Sequence, residues 1–458
     1  MLDLLRQNTP PQIPLLLQDL SKLSFSQEKE AARAQLGSSQ PLKPLRIGTL
    51  FSGGPAPGGH NVVAGLLDAI PGSQIFGFLN GPKGLITGQA KEVTRTVIAP
   101  FRNQGGFDLL GTGRTKLEKE EDFKAAFEVS QKLALNGVVI IGGDDSNTNA
   151  ADLAEYFQKR GSPICVIGVP KTIDGDLQND HVAIPFGFDT ATKTYAEVIG
   201  NIARDACSAK KYTHFVKLMG RTASHVTLEC ALATHPNLAL ISEERKPLHQ
   251  LVTEIADLIE HRSKAGKEYG VILVPEGLVE FIPDLQKEAP HLTQDAHGNL
   301  NVSSLETELF LIQHVTAELK RRSFSGKFSP VRHFLGYEGR SGFPTHFDAN
   351  YCYALGLTAA LLIAHKFTGM MAFVAGLKEE TAKWSVGGAL FPSLMHMESR
   401  NGKIVRVIAK KLVDLQGKPY LTYQQHKADW ALSDSYRYPG PIQFFGDPKL
   451  THAPPFIL

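Results

Sequence analysis

Four segments in the first half of the chain carry residues able to handle an anion. Ser52-Gly53-Gly54-Pro55-Ala56-Pro57-Gly58-Gly59-His60-Asn61 is glycine-rich and is followed by a helical pattern. Glycines let backbone N–H groups close on an anion, and a helix N-terminus adds its positive dipole end. A plain strand-to-helix turn would use the same residues. No Gly-Lys-Ser/Thr follows, so this is not a Walker A loop. Gly142-Gly143-Asp144-Asp145-Ser146 sets two carboxylates at a strand end. Such carboxylates need partners. A magnesium ion chelated by phosphate is one partner, with Asp144 as its ligand; a helix cap by Asp145 or Ser146 is the other reading. Gly111-Thr112-Gly113-Arg114 adds an arginine that would clamp a phosphate or else lie solvated in a turn. Pro170-Lys171-Thr172-Ile173-Asp174-Gly175-Asp176-Leu177 gathers an ammonium, a hydroxyl and two carboxylates in one loop.

The elements around these segments alternate. Arg46–Phe51, Gln74–Leu79, Gly137–Ile141 and Pro163–Val169 read as strands; helices are expected over Asn61–Ile70, Asn147–Arg160 and Thr190–Ala206. Short apolar runs alternating with helices of about 10–15 residues indicate βαβ units and a parallel sheet. The pattern resumes with strands at Thr213–Leu218, Leu238–Ile241, Val271–Val274, Val331–Leu335 and Met371–Leu377. Helices are expected at Ser224–Thr234, His249–Ala265, Ser304–Arg322 and Phe347–Lys366. Residues 279–303 read as a polar surface insertion, and the tail from Lys403 has hairpin features and a proline-rich end. The fold class is therefore α/β, with two doubly wound, mostly parallel-sheet domains sharing a cleft. The expected division is an N-terminal extension over 1–43, a first domain over 44–206 plus 347–400, a second over 207–346, and a C-terminal segment over 401–458. Ligands of such folds sit beyond the carboxyl ends of the strands, where all four segments fall.

Composition excludes several classes. The 458 residues carry a formal net charge of +2, which gives no field for nucleic acid or an anionic membrane. No apolar stretch reaches the roughly 18 residues of a membrane span. The N-terminus lacks a basic region followed by an apolar core, so no signal peptide is expected. The four cysteines have no CxxC spacing, which points to a reducing, cytoplasmic setting.

Seven motifs in order then carry a resemblance: SGGPAPG, GGDDS, PKTIDGD, FGFDTA, KLMGR, VPEG and GYEGRS, spread from Arg46 to about Leu390. The chain resembles the phosphofructokinase family, and in detail its long, pyrophosphate-using branch. ATP-using members usually have glycine where this chain has Asp145 and asparagine where it has Gly175. The resemblance implies phosphoryl transfer from pyrophosphate to fructose 6-phosphate, with Mg2+. It also implies a homo-oligomer, dimer or tetramer, with shared active sites. An ATP-dependent enzyme, a non-catalytic regulatory subunit and a sedoheptulose 7-phosphate acceptor are the alternatives; the first is opposed by Asp145 and Gly175, the second by the intact Lys171, Thr172, Asp174 and Asp176.

The expected roles follow that chemistry. Asp145 would put a negative charge where the α-phosphate of ATP begins. Two like charges about 4 Å apart repel by roughly 4 kcal/mol at an effective dielectric of 20. Lys171 would neutralise charge growing on the leaving phosphate, with Gly53, Gly54 and Arg114 binding the donor. Asp174 would accept the C1 hydroxyl proton, with Asp176 in support and Thr172 and Ile173 contacting substrate. By resemblance, Met219, Gly220, Arg221 and Glu276 bind the sugar, while Tyr337, Glu338, Gly339 and Arg340 close on its 6-phosphate. Lys211 and Tyr212 would reach a neighbouring subunit's site. His225 reads as a satisfied helix residue. His60 would touch phosphate or be buried, Trp384 and Trp430 read as packing residues, and Lys410-Lys411 as a solvated charge pair.

Overall fold

A computed structural model describes residues 42–282, 305–400 and 403–438. The extension expected over 1–43, the insertion over 279–303 and the proline-rich end of the tail lie almost wholly outside the described residues.

The strands are β1 Arg46–Ser52, β2 Gln74–Phe78, β3 Ala90–Glu92, β4 Thr112–Gly113, β5 Gly137–Gly142, β6 Cys165–Pro170, β7 Tyr212–Leu218, β8 Leu238–Ala239, β9 Tyr269–Pro275, β10 Pro330–Leu335, β11 Met370–Ala375, β12 Ser385–Leu390, β13 Met395–Arg400 and β14 Lys403–Ile408. The longer helices are α1 Gly59–Asp68, α2 Glu120–Lys132, α3 Asp144–Lys159, α4 Phe188–Ala209, α5 His225–Thr234, α6 Leu248–Lys264, α7 Thr307–Arg321, α8 His346–Ala364 and α9 Lys418–Leu432.

Two sheets form two α/β domains. The first runs β12-β11-β6-β5-β1-β2-β3, with β4 also beside β1. Its interior is parallel, and β12 and β3 close the two edges antiparallel. Strands β5 and β6 are buried along their whole length, as parallel strands covered on both faces must be; this is why they read as unbroken apolar runs. Strand order reverses at β1, which has β2 on one side and β5 on the other. The second sheet is the parallel set β10-β7-β9-β8.

Helix α4 joins the halves. One apolar cluster passes from Phe51, Ile141 and Val169 through Tyr195 and Ile199 to Val216 and Leu273. The N-terminus of α4 is fixed by Asp348, on the returning helix α8. The Asp348 carboxylate accepts from the Gly187 and Thr190 amides, each at 2.9 Å. Burial, and then Asp189, push its carboxyl up to about 7, against the hydrogen bonds it accepts. Helix α8 is the one described helix long and apolar enough to cross a membrane, and it is packed inside the first domain.

Several elements were not expected, among them helix α2, the short strands β3 and β4, strand β12 and helix α9. Strand β12 pairs antiparallel with β11. Helix α9 buries only Tyr423 and Trp430, so its sequence has no apolar stripe to read. Both aromatic residues nevertheless anchor it. Tyr423 Oη donates to Ala239 O at 2.8 Å, and the Trp430 ring stacks on His235 with centroids 4.0 Å apart. Trp430 and Trp384 are both buried packing residues.

Candidate active site

The first loop leaves β1 at the switch in strand order and is held by its neighbours. Gly53 N donates to Gly113 O at 2.9 Å, and Thr112 Oγ1 donates to Gly53 O at 2.6 Å. Ser146 Oγ donates to Ser52 Oγ at 2.9 Å, which joins the acidic loop after β5. From the loop after β6, Lys171 Nζ donates to Gly54 O at 2.7 Å. The four anion-handling segments therefore meet at the carboxyl ends of β1, β5 and β6. A residue almost 170 positions further along completes the group. Arg340 lies so close over Gly54 that any Cβ there would overlap its guanidinium.

The acidic pair starts α3 rather than preceding it. The N-cap is Gly143, and no side chain caps the helix, so Asp145 and Ser146 are not the caps. Asp144 and Asp145 occupy the first turn, where the helix dipole favours negative charge. In the next loop, Asp174 N donates to Thr172 Oγ1 at 3.0 Å; Ile173 is buried and Asp174 half-buried. Gly175 has φ +77°, and a Cβ there would fall 2.6 Å from the Phe188 ring. The loop turns there in a way glycine allows and asparagine could follow only by moving Phe188. Asp176 is buried and accepts from Thr222 Oγ1 at 2.8 Å.

The charges are mutually adjusted. Burial, and then Arg340, lower the Lys171 ammonium to about 8, against the pull of Asp174 and Asp144. Burial raises Asp176 to about 7, with Asp174 and Asp144 adding to the shift and Lys410 and Thr222 opposing it. Burial also lowers Arg340, and Arg114 adds to that. A half-buried carboxylate, a buried ammonium and two guanidiniums thus lie within electrostatic reach of one another, an arrangement suited to a polyanion and to a hydroxyl proton. Among the described residues no group of three or more His, Cys, Asp or Glu is placed to cage a metal. Asp144 would suit instead a magnesium that keeps most of its ligands on phosphate and water.

The residues expected on the sugar side sit at the carboxyl ends of the second sheet. Met219 is buried just past β7, and Gly220 N donates to Glu276 Oε1 at 3.3 Å. Arg221 follows, half-buried. Tyr337 is 63% exposed, Glu338 is exposed, and Gly339 is packed on the Tyr195 ring. Lys211 and Tyr212 are not brought to this cluster. They are exposed at the opposite end of the seven-residue β7, roughly 20 Å away at strand rise.

Three further side chains are decided by packing. His60 is fully buried and accepts from Leu109 N at 3.3 Å, and burial lowers it to about 4; it belongs to the core of the first loop. His225 Nε2 donates to Lys411 O at 2.8 Å. Lys410, read from sequence as solvated, is instead 16% exposed, with Nζ 3.1 Å from Asp144 Oδ2. No glycine motif marks it, and the strand it follows belongs to the separate two-stranded β13-β14 sheet, so local sequence could not have found it.

With this geometry in place, the relatives can be compared. A family model described as phosphofructokinase matches residues 46–363. The chain belongs to the phosphofructokinase family. It is 46% identical over 471 residues to a pyrophosphate–fructose 6-phosphate 1-phosphotransferase of Treponema pallidum, covering 90% of this chain and 82% of that one. It is 45% identical to the beta 2 subunit of the Arabidopsis thaliana protein of that name, covering 88% and 80%. Its fold is similar to a pyrophosphate-dependent phosphofructokinase of Nitrosospira multiformis, with a TM-score of 0.60, 19% identity, and coverage of 85% and 93%. The phosphofructokinase match contains every site residue named above except Lys410 and ends before β11, so the hairpin and α9 lie beyond it.

Proposed function

We propose that this chain transfers a phosphoryl group from pyrophosphate to the C1 hydroxyl of fructose 6-phosphate, giving fructose 1,6-bisphosphate and phosphate. The observation that carries the reading is the buried Lys171 ammonium against Gly54 O, flanked by Arg340, Asp174 and Asp144. Relatives of that named activity match along most of the chain. Pyrophosphate has no nucleoside to grip, so buried charge has to hold it. Lys171 stabilises charge on the leaving phosphate, and Gly53, Gly54 and Arg114 cradle the donor. Asp174 accepts the hydroxyl proton, and Asp145 excludes a longer donor. Asp144 would hold Mg2+, which when bound neutralises phosphate charge. Arg221, Glu276, Tyr337 and Arg340 orient the sugar phosphate.

The remote position of Lys211 and Tyr212 supports a homo-oligomer in which these residues serve a neighbouring copy's site. All four cysteines are free and three are buried, which supports a reducing, cytoplasmic setting.

The test is product formation from fructose 6-phosphate and magnesium, with pyrophosphate and ATP supplied in parallel. Turnover with pyrophosphate alone is expected, and Asp145→Gly should begin to admit ATP. Turnover with ATP alone would overturn the donor, and silence with both would favour a regulatory subunit.

A further inference from the structure

The chain from the end of β14 toward α9 bridges the two domains, and its backbone is held on both sides. On the first domain, Ile408 N donates to Thr148 Oγ1 at 3.0 Å and Lys411 N donates to Asp176 O at 2.7 Å. On the second, Lys411 O accepts from His225 Nε2 at 2.8 Å and Val413 N donates to Glu243 Oε1 at 2.9 Å. Lys410 lies between these anchors, so its starting point is fixed by four hydrogen bonds that do not involve its own side chain. A lysine at the rim of a protein ordinarily keeps its ammonium in water. This one turns inward to Asp144 at 3.1 Å, within electrostatic reach of Asp176, Arg221 and Asp145.

We propose that Lys410 is a positioning residue of the donor pocket: it holds the Asp144 carboxylate in place and offsets the acidic charge of Asp144, Asp145 and Asp176, so that an anionic donor can enter. The proposal rests on the pyrophosphate reading above and extends it to a residue outside the matched family region. Magnesium pyrophosphate arrives as an anion. Without Lys410 the pocket is one positive charge poorer, which repels that complex and at the same time attracts a bare divalent cation, because the ammonium no longer competes for Asp144.

The experiment compares wild type with Lys410→Met, Lys410→Gln and Lys410→Arg, and with Lys411→Met as the control for its exposed neighbour. In the neutral variants the KM for magnesium pyrophosphate should rise by about tenfold or more, while the KM for fructose 6-phosphate stays within about twofold; Lys410→Arg should recover most of the loss. An unchanged pyrophosphate KM, or an equal rise in both KM values, overturns the proposal. Free Mn2+ binding, read by electron paramagnetic resonance, needs no turnover. The neutral variants should bind Mn2+ at least about threefold more tightly than wild type, and equal or weaker binding also overturns it. Failure of wild type to use pyrophosphate would instead sink the donor reading, leaving the Mn2+ comparison to decide the role of Lys410.

Discussion

The two sides of the proposed site, one for the donor and one for the sugar, are built differently. On the donor side, four segments converge within one chain, and Lys171 and Asp176 are buried in a network of named partners. On the sugar side, Glu276 and Met219 are buried but Tyr337 stands 63% exposed, and Lys211 and Tyr212 lie at the far end of β7. The contrast has a physical origin. A small, highly charged anion is held by fixed dipoles and buried charge, which a single rigid sheet edge supplies. A sugar phosphate is larger, and its outer face can be closed by residues from elsewhere. On the proposed function, one copy supplies the donor residues and a second copy would finish the sugar pocket.

The largest effect should come from the reacting hydroxyl. Asp174→Asn should lower kcat by about 10²–10⁴-fold with little change in either KM, as read at saturating substrates. A fall confined to KM would remove Asp174 from the proton-transfer role.

The sharing of sites comes next. Lys211→Ala should raise the KM for fructose 6-phosphate by roughly tenfold or more, the scale of one charged hydrogen bond. The pyrophosphate KM should hold. Mixing Lys211→Ala and Asp174→Asn protomers should restore turnover at low fructose 6-phosphate, because one site of a hybrid dimer carries neither change. No gain on mixing would mean that each copy closes its own sugar pocket.

The Gly175 turn allows a third comparison. Gly175→Asn forces a Cβ against Phe188 at positive φ, at a cost of about 1–3 kcal/mol. It should lower the melting temperature and kcat together. A variant of normal stability that gained ATP use would show that this position selects the donor directly.

Acidity should separate the halves less sharply. Lys171 has its pKa lowered to about 8, so kcat/KM for pyrophosphate should fall as pH rises through that value and the ammonium is lost, while Lys171→Arg should keep the plateau to higher pH. Stability should respond at the other end. His60 and His214 are held near 4, first by burial, below the ordinary imidazole value. At these two residues the unfolded chain binds more protons than the folded one between about pH 6.5 and 4, so the stability they contribute is full above 6.5 and drains away as pH falls through that window. Asp176 and Asp348, raised to about 7, act in the opposite sense, so the histidine share should be read by chemical denaturation as the difference between wild type and the His60→Gln, His214→Gln double variant.

Much of this was legible in sequence because it is local. The apolar runs of β5 and β6, the glycine turns after them and the Lys171–Asp176 loop follow from strand burial and from the close approach of backbone to an anion, both written in adjacent residues. Helix α9 was not legible, since two aromatic anchors make no stripe, and neither was β12, which depends on its partner β11. By itself the sequence determined which residues could do chemistry and that strand ends would present them. Only the tertiary structure decided that Arg340 covers Gly54, that Asp348 fixes the start of α4, that Lys211 lies at the opposite end of β7 from Met219 and Gly220, and that Lys410 turns inward to Asp144. Each contact among these joins segments far apart in the chain, and its energy depends on burial and on neighbouring charge, which exist only once the sheets have packed.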